Sequence, residues 1–243
     1  MDNLQLLGVQ TQRVLQRRLE TAANNLANVS TFGFKADALL TEMDARAPAR
    51  SADAPRDVRF VRDIGLTRDF SQGAITRTGE AFDVAIQGDG FFMVSDPQQG
   101  TLFTRDGSFR LDAAGQLVTK DGRNVLNSGG APIVFDPQGE RPIIGADGSI
   151  MIAGTEVGRI GLTSFANLAA LEKVGDNLFS PGGQPQTTFE GAAVQGAVEG
   201  SNVNAVIELT RVIEISRAYE SAARVVRNGD DLRQRTLERL ARA

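Results

Sequence analysis

Two long amphipathic patterns, one near each end of the chain, constrain the fold more than anything between them. Leu15, Leu19, Ala22, Leu26 and Val29 recur at 4-3-4-3 spacing within residues 3–29, one seam of a heptad-like helix. Toward the other end Ala205, Leu209, Val212, Tyr219, Ala223 and Val226 form a second seam, with Ser216 at its remaining site and Ile215, Ala218, Ala222 and Val225 widening it. SNVN (201–204) precedes it with good N-cap residues. Asn228-Gly229 is a candidate break before a second stretch from Asp230 to about Leu240. An amphipathic helix is marginal in water until its stripe is covered. The two helices can pair as an antiparallel coiled coil if the middle of the chain brings its own ends together. Both stripes are wider than one partner helix covers, which predicts further partners from other subunits.

The first seam stops in the stretch NNLANVSTFGFK (24–35). Asn24, Asn25 and Asn28 are suited to hydrogen-bond neighbouring backbone, and Gly33, between Phe32 and Phe34, is free to take positive φ and turn the chain. On the polar side of the second helix Glu208, Arg211, Glu214, Arg217, Glu220, Arg224 and Arg227 come three or four apart and nearly alternate in sign. This ladder is either a solvated helix face, at about 0.2–0.5 kcal/mol per pair, or a register-setting surface.

The middle reads differently. Residues 45–59 (ARAPARSADAPRDVR) carry no apolar period and are expected to be extended or mobile. From there period-two alternation takes over, as in Phe82, Val84 and Ile86. Asp-Gly pairs at 106–107, 121–122 and 147–148, flanked by strand-like segments, predict successive antiparallel hairpins, and GDGFF (88–92) reads as another hairpin turn. A strand is expected over 159–165, a short helical turn over 166–173 and a loop at 180–185. The fold class is therefore α+β: an N-terminal helix and exit turn over 1–35, a linker over 36–61, a β-rich domain over 62–200 and a C-terminal helix over 201–243.

Composition narrows function. The 243 residues contain no cysteine and no histidine, which removes disulfides, thiolate nucleophiles, most zinc sites and Ser-His or Cys-His catalysis. Acid–base work would fall on carboxylates, Lys or Tyr. Residues 41–200 carry 14 basic and 21 acidic groups, and neither end is basic enough for a nucleic-acid arm. No apolar run approaches the ~20 residues that span a bilayer, and no secretory signal pattern opens the chain. GDGFF lacks the surroundings of a phosphate loop. The Asp-Gly pairs lack the ligand spacing of a calcium loop. Asp83 and Asp89 have no sugar-binding aromatics around them, and Lys35, Lys120 and Lys173, the only lysines, sit in no Ser-Lys motif. No catalytic constellation, cofactor site or metal site emerges.

The two ends carry a more specific message. ANNLANVSTFGFK (23–35) resembles the N-terminal signature of the bacterial flagellar rod and hook family of axial proteins. GSNVNAVIELTRVIEISRAYESAARVV (200–226) is similar to that family's C-terminal signature, and AIQGDGFFMV (85–94) with FTRDGSFRLDAAGQLVTKDGRNVL (103–126) resembles its shared central β region. MDN at 1–3, the compact length and GAITRTGEAFDVAIQGDGFF (73–92) look most like the proximal-rod branch, although Ser30 and Phe32 stand where Asp or Asn and Ala are more usual. The distal-rod branch is the alternative.

The resemblance implies a non-enzymatic subunit that partners itself and other rod proteins. It further implies export through the flagellar type III channel without a cleaved signal, and helical stacking into the periplasmic drive shaft of the basal body. No nucleic acid, membrane insertion or small-molecule substrate is implied. Leu15, Leu19, Ala22, Leu26 and Val29 would then meet Leu209, Val212, Tyr219, Ala223 and Val226 in an inter-helix seam. The charge ladder would set register, and Phe32 and Phe34 would wedge the chain exit against an adjacent subunit. The rivals from other classes are a secreted β-rich hydrolase or sugar-binding domain and a calcium-stabilised adhesin module.

Overall fold

A computed structural model describes residues 3–44 and 60–241, and the Ala/Arg/Pro-rich stretch 45–59 lies outside them. The chain is α+β and divides into two units, each assembled from discontinuous segments.

The helical unit comprises Met1–Ala27, Asp37–Asp69 and Asn204–Ala243. α1 (Asn3–Ala27) ends where Asn28 begins a turn, closed by the Thr31 N–H on the Asn28 carbonyl and by the Thr31 hydroxyl on Asn28 Oδ1. Val29, placed by periodicity on the helical seam, therefore stands beyond the helix. α2 (Ala205–Ala241) starts at Asn204, whose Oδ1 caps the N–H groups of Val206 and Ile207 at 3.0 and 3.2 Å. It runs unbroken through Asn228-Gly229, because one interior glycine costs only about 1 kcal/mol relative to alanine. The helices pack against each other. A Cβ on Gly8 would fall 2.3 Å from Val226 Cγ2, and Arg18–Asn25 shares a cleft with Glu208–Ile215, so α1 and α2 run in opposite directions.

A two-stranded ribbon, β1 (Asp37–Asp44) and β2 (Phe60–Arg68), completes this unit and packs on α1. The expected linker 36–61 thus begins and ends in strand. The reason is local: Asn25, 2% exposed, grips Asp37 through both backbone groups, donating to its carbonyl at 2.8 Å and accepting its N–H at 2.9 Å. A side-chain amide that mimics a strand partner fixes where β1 starts.

The β unit comprises Asn28–Ala36 and Phe70–Val203. Its strands are β3 (Ile75–Arg77), β4 (Val84–Gln87), β5 (Phe91–Asp96), β6 (Gly100–Thr104), β7 (Arg110–Leu111), β8 (Leu117–Val118) and β9 (Ile143–Ile144). They continue with β10 (Ser149–Ile152), β11 (Thr155–Arg159), β12 (Leu162–Phe165), β13 (Glu172–Gly175), β14 (Leu178–Ser180), β15 (Gln186–Thr187), β16 (Ala192–Gln195) and β17 (Ala197–Glu199). A six-stranded antiparallel sheet in the order β13-β14-β6-β5-β12-β15 lies beside a three-stranded sheet, β11-β10-β9, and the pairs β16-β4, β17-β3 and β7-β8. Leu168–Ala170 form one 3-10 turn, within the short helical turn expected at 166–173.

Two cores form. Val84, Ile86, Phe92, Val94, Leu117, Val125, Ile150 and Ile160 belong to one. The other is aromatic: Phe70, Phe91, Phe103, Phe165 and Phe179, with edge-to-face contacts such as Phe103–Phe165 at 4.8 Å between centroids. Each buried Phe contributes about 1.5–3 kcal/mol, which gives the phenylalanine-heavy composition its use. Asp147-Gly148 turns the β9–β10 hairpin, as expected. GDGFF does not turn a hairpin: β4 and β5 are unpaired with each other, and the turn hands the chain from one sheet to another. Asp106-Gly107 is no hairpin turn either. Gly107 is required because a Cβ there would lie 1.7 Å from the Val84 carbonyl oxygen.

A buried ion cluster at the ends of the β unit

Three stretches of the β unit meet beside its chain exits: 33–36 after α1, 71–74 after β2, and 199–202 before α2. Gly33 donates its N–H to the Glu199 carbonyl at 2.8 Å, Gly200 donates to the Ala74 carbonyl at 2.8 Å, and Ala36 donates to Asn202 Oδ1 at 2.8 Å. The Asn202 amide nitrogen turns the other way, to Ser71 Oγ at 3.1 Å and the Ser71 carbonyl at 3.2 Å. Gly33 takes φ +65°, and a Cβ on it would lie 2.4 Å from the Asp106 nitrogen, so the turn tolerates no side chain.

At the centre Lys35, Arg105 and Glu199 are fully buried together, each with 0% side-chain exposure. Lys35 Nζ donates to Glu199 Oε1 at 2.6 Å and to the Ser71 carbonyl at 2.7 Å. Gly73 N–H adds a second donor to Oε1 at 2.9 Å, and Arg105 Nη1 reaches Oε2 at 3.2 Å. Arg105 Nε and Nη2 find no hydrogen-bond acceptor, and the guanidinium lies 5.2 Å from the centre of the Phe91 ring. Burial pulls the Arg105 pKa below its ordinary value, opposed by the charges of Glu199 and Asp89. One carboxylate thus serves two cations away from water. Such a cluster contributes little net stability over an apolar packing, but losing one member leaves charge stranded.

The rest of the signature is clamped just as closely. Asn177 donates to the Phe32 carbonyl at 3.2 Å. Lys120 Nζ sits 4.4 Å over the Phe32 ring, and Lys173 Nζ sits 4.6 Å over the Phe34 ring. Phe34 is 1% exposed. It is therefore enclosed within its own chain, with no free face. Phe32 is half-buried beneath its lysine. Two of the three lysines of the chain thus cover rings of this stretch, and the third, Lys35, closes it.

The expected helical seam is redistributed. Ala22 is 4% exposed, while Leu15, Leu19, Leu26, Val212, Ala223 and Val226 are half-buried. Leu209 at 50% and Tyr219 at 38% are exposed. The cleft against α1 takes Glu208 and Ile215 from α2, one helical row that continues to Val226 seven and then eleven residues on. Of the charge ladder, Glu208 is 4% exposed and pairs with Arg211, while Glu214, Arg217, Glu220, Arg224 and Arg227 lie on the surface. Asn24 is an exposed position of α1, and Asn25 and Asn28 act on the backbone as described above.

Lys35, Arg105, Glu199 and Asn202 escape a reading of periodicity, because none belongs to a motif of reactive groups. The available signal was the scarcity of lysine and the isolation of Glu199 among small apolar residues of β17. Chemically the cluster offers no nucleophile and no solvent path. Its groups fasten three chain segments. Asp106 and Asp147 likewise cap their own turns, accepting the N–H groups of Ser108 and Ser149.

Three family models match the chain in order: flagella basal body rod protein over residues 8–35, the flagellar hook protein FlgE/F/G D1 domain over 85–152, and the flagellar basal body rod FlgEFG protein C-terminal region over 194–239. The first match ends at Lys35 and the last contains Glu199, so the buried pair ties one to the other. The flagellar basal-body rod protein FlgF of Caulobacter vibrioides is 41% identical over 244 residues, covering 100% of this chain and 99% of that protein. FlgF of Mesorhizobium japonicum is 37% identical over 224 residues, covering 91% and 90%. FlgG of Bacillus subtilis is 34% identical over 251 residues, covering 93% and 95%. Fold, site and relatives define a structural protein of the bacterial flagellum, not an enzyme. The chain belongs to the flagellar basal-body rod protein family.

Proposed function

We propose that the protein is a proximal-rod subunit, assembling helically with itself and with other rod proteins into the periplasmic shaft that transmits torque. The observation that carries this reading over a distal-rod role is the length match. Alignment to the Caulobacter FlgF takes 244 positions for a chain of 243 residues. Alignment to the Bacillus FlgG takes 251, so that relative carries residues this chain lacks.

In this reading α1 and α2 form an antiparallel coiled coil. The residues that α1 leaves uncovered, Val206, Leu209, Ile213 and Tyr219, dock on helices of neighbouring subunits, and the outer charges of the ladder set register between them. Heterologous contacts that do not close generate a filament. Passage through the flagellar type III channel without a cleaved signal belongs to the same reading. Deleting the gene in its host and imaging basal bodies by electron cryotomography tests it. Basal bodies without a completed rod, restored by re-expression, support the reading. Hook-bearing basal bodies with a complete proximal rod in the deletion strain would overturn it.

A further inference from the structure

β3 and β4 find their ladder partners in the last dozen residues of the β unit, and β4 reaches the central region through the Val84 N–H on the Gly107 carbonyl at 2.9 Å. Among the described residues, β3 pairs only with β17, and β4 only with β16. The strap 28–36 hangs on the same end, through Gly33 to the Glu199 carbonyl, Lys35 to the Glu199 carboxylate and Ala36 to Asn202. Gly73 also donates to Glu199, and Gly196 donates to the Asp83 carbonyl at 2.7 Å. The central region is different: β5, β6, β12 and β14 pair among themselves, and Met93 and Leu126 close their backbone bonds within residues 93–161.

We propose that residues 192–202 are a clasp: the central sheet forms first, and the strap, β3 and β4 dock together only when this C-terminal segment arrives. Closure joins residues far apart in sequence, so its entropic cost is met only once several contacts form at once. The charges sharpen the step. Until Glu199 is in place, burying Lys35 beside Arg105 would strand two cations out of water, so the strap stays hydrated. A chain whose 192–202 segment is still held elsewhere, in a ribosome or a narrow channel, therefore keeps residues 28–36 and 70–87 open. The proposal rests on strand order and on the cluster, and it holds whether or not the protein builds the proximal rod.

Pulse-labelling hydrogen exchange during refolding of the full-length chain tests it. The expected result is early protection of the Met93 and Leu126 amides. Gly33, Ala36, Gly73, Gly196 and Gly200 should follow as one group at least tenfold more slowly. Native-state exchange of the same chain should show that group opening together, at least tenfold more often than Met93 and Leu126. A single phase for all seven amides, or protection of Gly33 and Gly73 before Gly196 and Gly200, would overturn the clasp.

Discussion

Removing the two ends of the Lys35–Glu199 pair should have unequal consequences. Lys35→Met leaves Glu199 with Arg105 at 3.2 Å and the Gly73 N–H at 2.9 Å, so the carboxylate keeps a counter-charge. The expected cost is about 3 kcal/mol, the lower end for breaking a buried pair. Glu199→Gln removes the only anion of the cluster and leaves Lys35 and Arg105 buried side by side, for an expected cost of about 5 kcal/mol. The double variant should lose less than the sum, by about 2 kcal/mol, because Lys35→Met relieves the repulsion that Glu199→Gln creates. With no Trp in the chain, urea unfolding followed by far-ultraviolet circular dichroism is the suitable assay. At a slope of about 2 kcal/mol per molar urea the midpoints should fall by roughly 1.5 and 2.5 M. Equal costs, a larger cost for Lys35→Met, or strict additivity would refute the assignment of Glu199 as the shared counter-ion.

Other perturbations read other parts of the molecule. Lys35→Arg should be nearly as damaging as Lys35→Met in the same urea assay, since a planar guanidinium cannot replace a point charge between Glu199 Oε1 and the Ser71 carbonyl; a neutral result would contradict the tight packing described. Gly8→Ala should loosen the helix pair, and Val226→Ala should restore it by making room for the new methyl, measured as helical thermal stability. Leu209→Asp should change chain stability by less than about 0.5 kcal/mol, because Leu209 is exposed, yet abolish incorporation into rods seen in micrographs. Asp96, held below its ordinary value of 3.8 mainly by the Gln98 N–H, stabilises its turn above that value and releases it as pH falls through the lowered one; the Gln98 and Gln99 amides should then exchange faster in acid, a change that Asp96→Asn removes.

The sequence disclosed what repeats and hid what is singular. Helix α1 was legible because its apolar spacing persists for many turns, and α2 because Asn204 caps a long charged pattern. Asp147-Gly148 was legible as a turn because hairpin backbone selects that dipeptide. Asp106-Gly107 has the same letters for another reason, the approach of the Val84 carbonyl, and no local rule separates the two. Strand β1 was missed because its start is set by the Asn25 amide, a side chain acting as a strand partner from within a helix. The ion cluster was missed because it joins positions 35, 105 and 199, which share no local pattern. Leu209 and Tyr219 fit a heptad seam by spacing, yet the row that meets α1 passes through Glu208 and Ile215 instead, since a straight helix drifts away from a seven-residue repeat.

The choice of lysine explains the signature better than the aromatics alone do. Of 26 basic residues only three are lysines: Lys35 ends the signature, and Lys120 and Lys173 cover Phe32 and Phe34. At position 35 the ammonium must fit between two oxygens at 2.6 and 2.7 Å, a task for a compact charge with rotatable donors rather than a fork. At 120 and 173 the ammonium reaches over a Phe ring from a turn and from β13, so the aromatic rings are roofed from within the same unit. With Phe34 enclosed, that ring offers no surface to another subunit. The signature holds the β unit shut at the point where the helices depart. Val206, Leu209 and Ile213 of α2 lie exposed, and a substitution there should separate assembly from folding, whereas one within 32–35 should damage both.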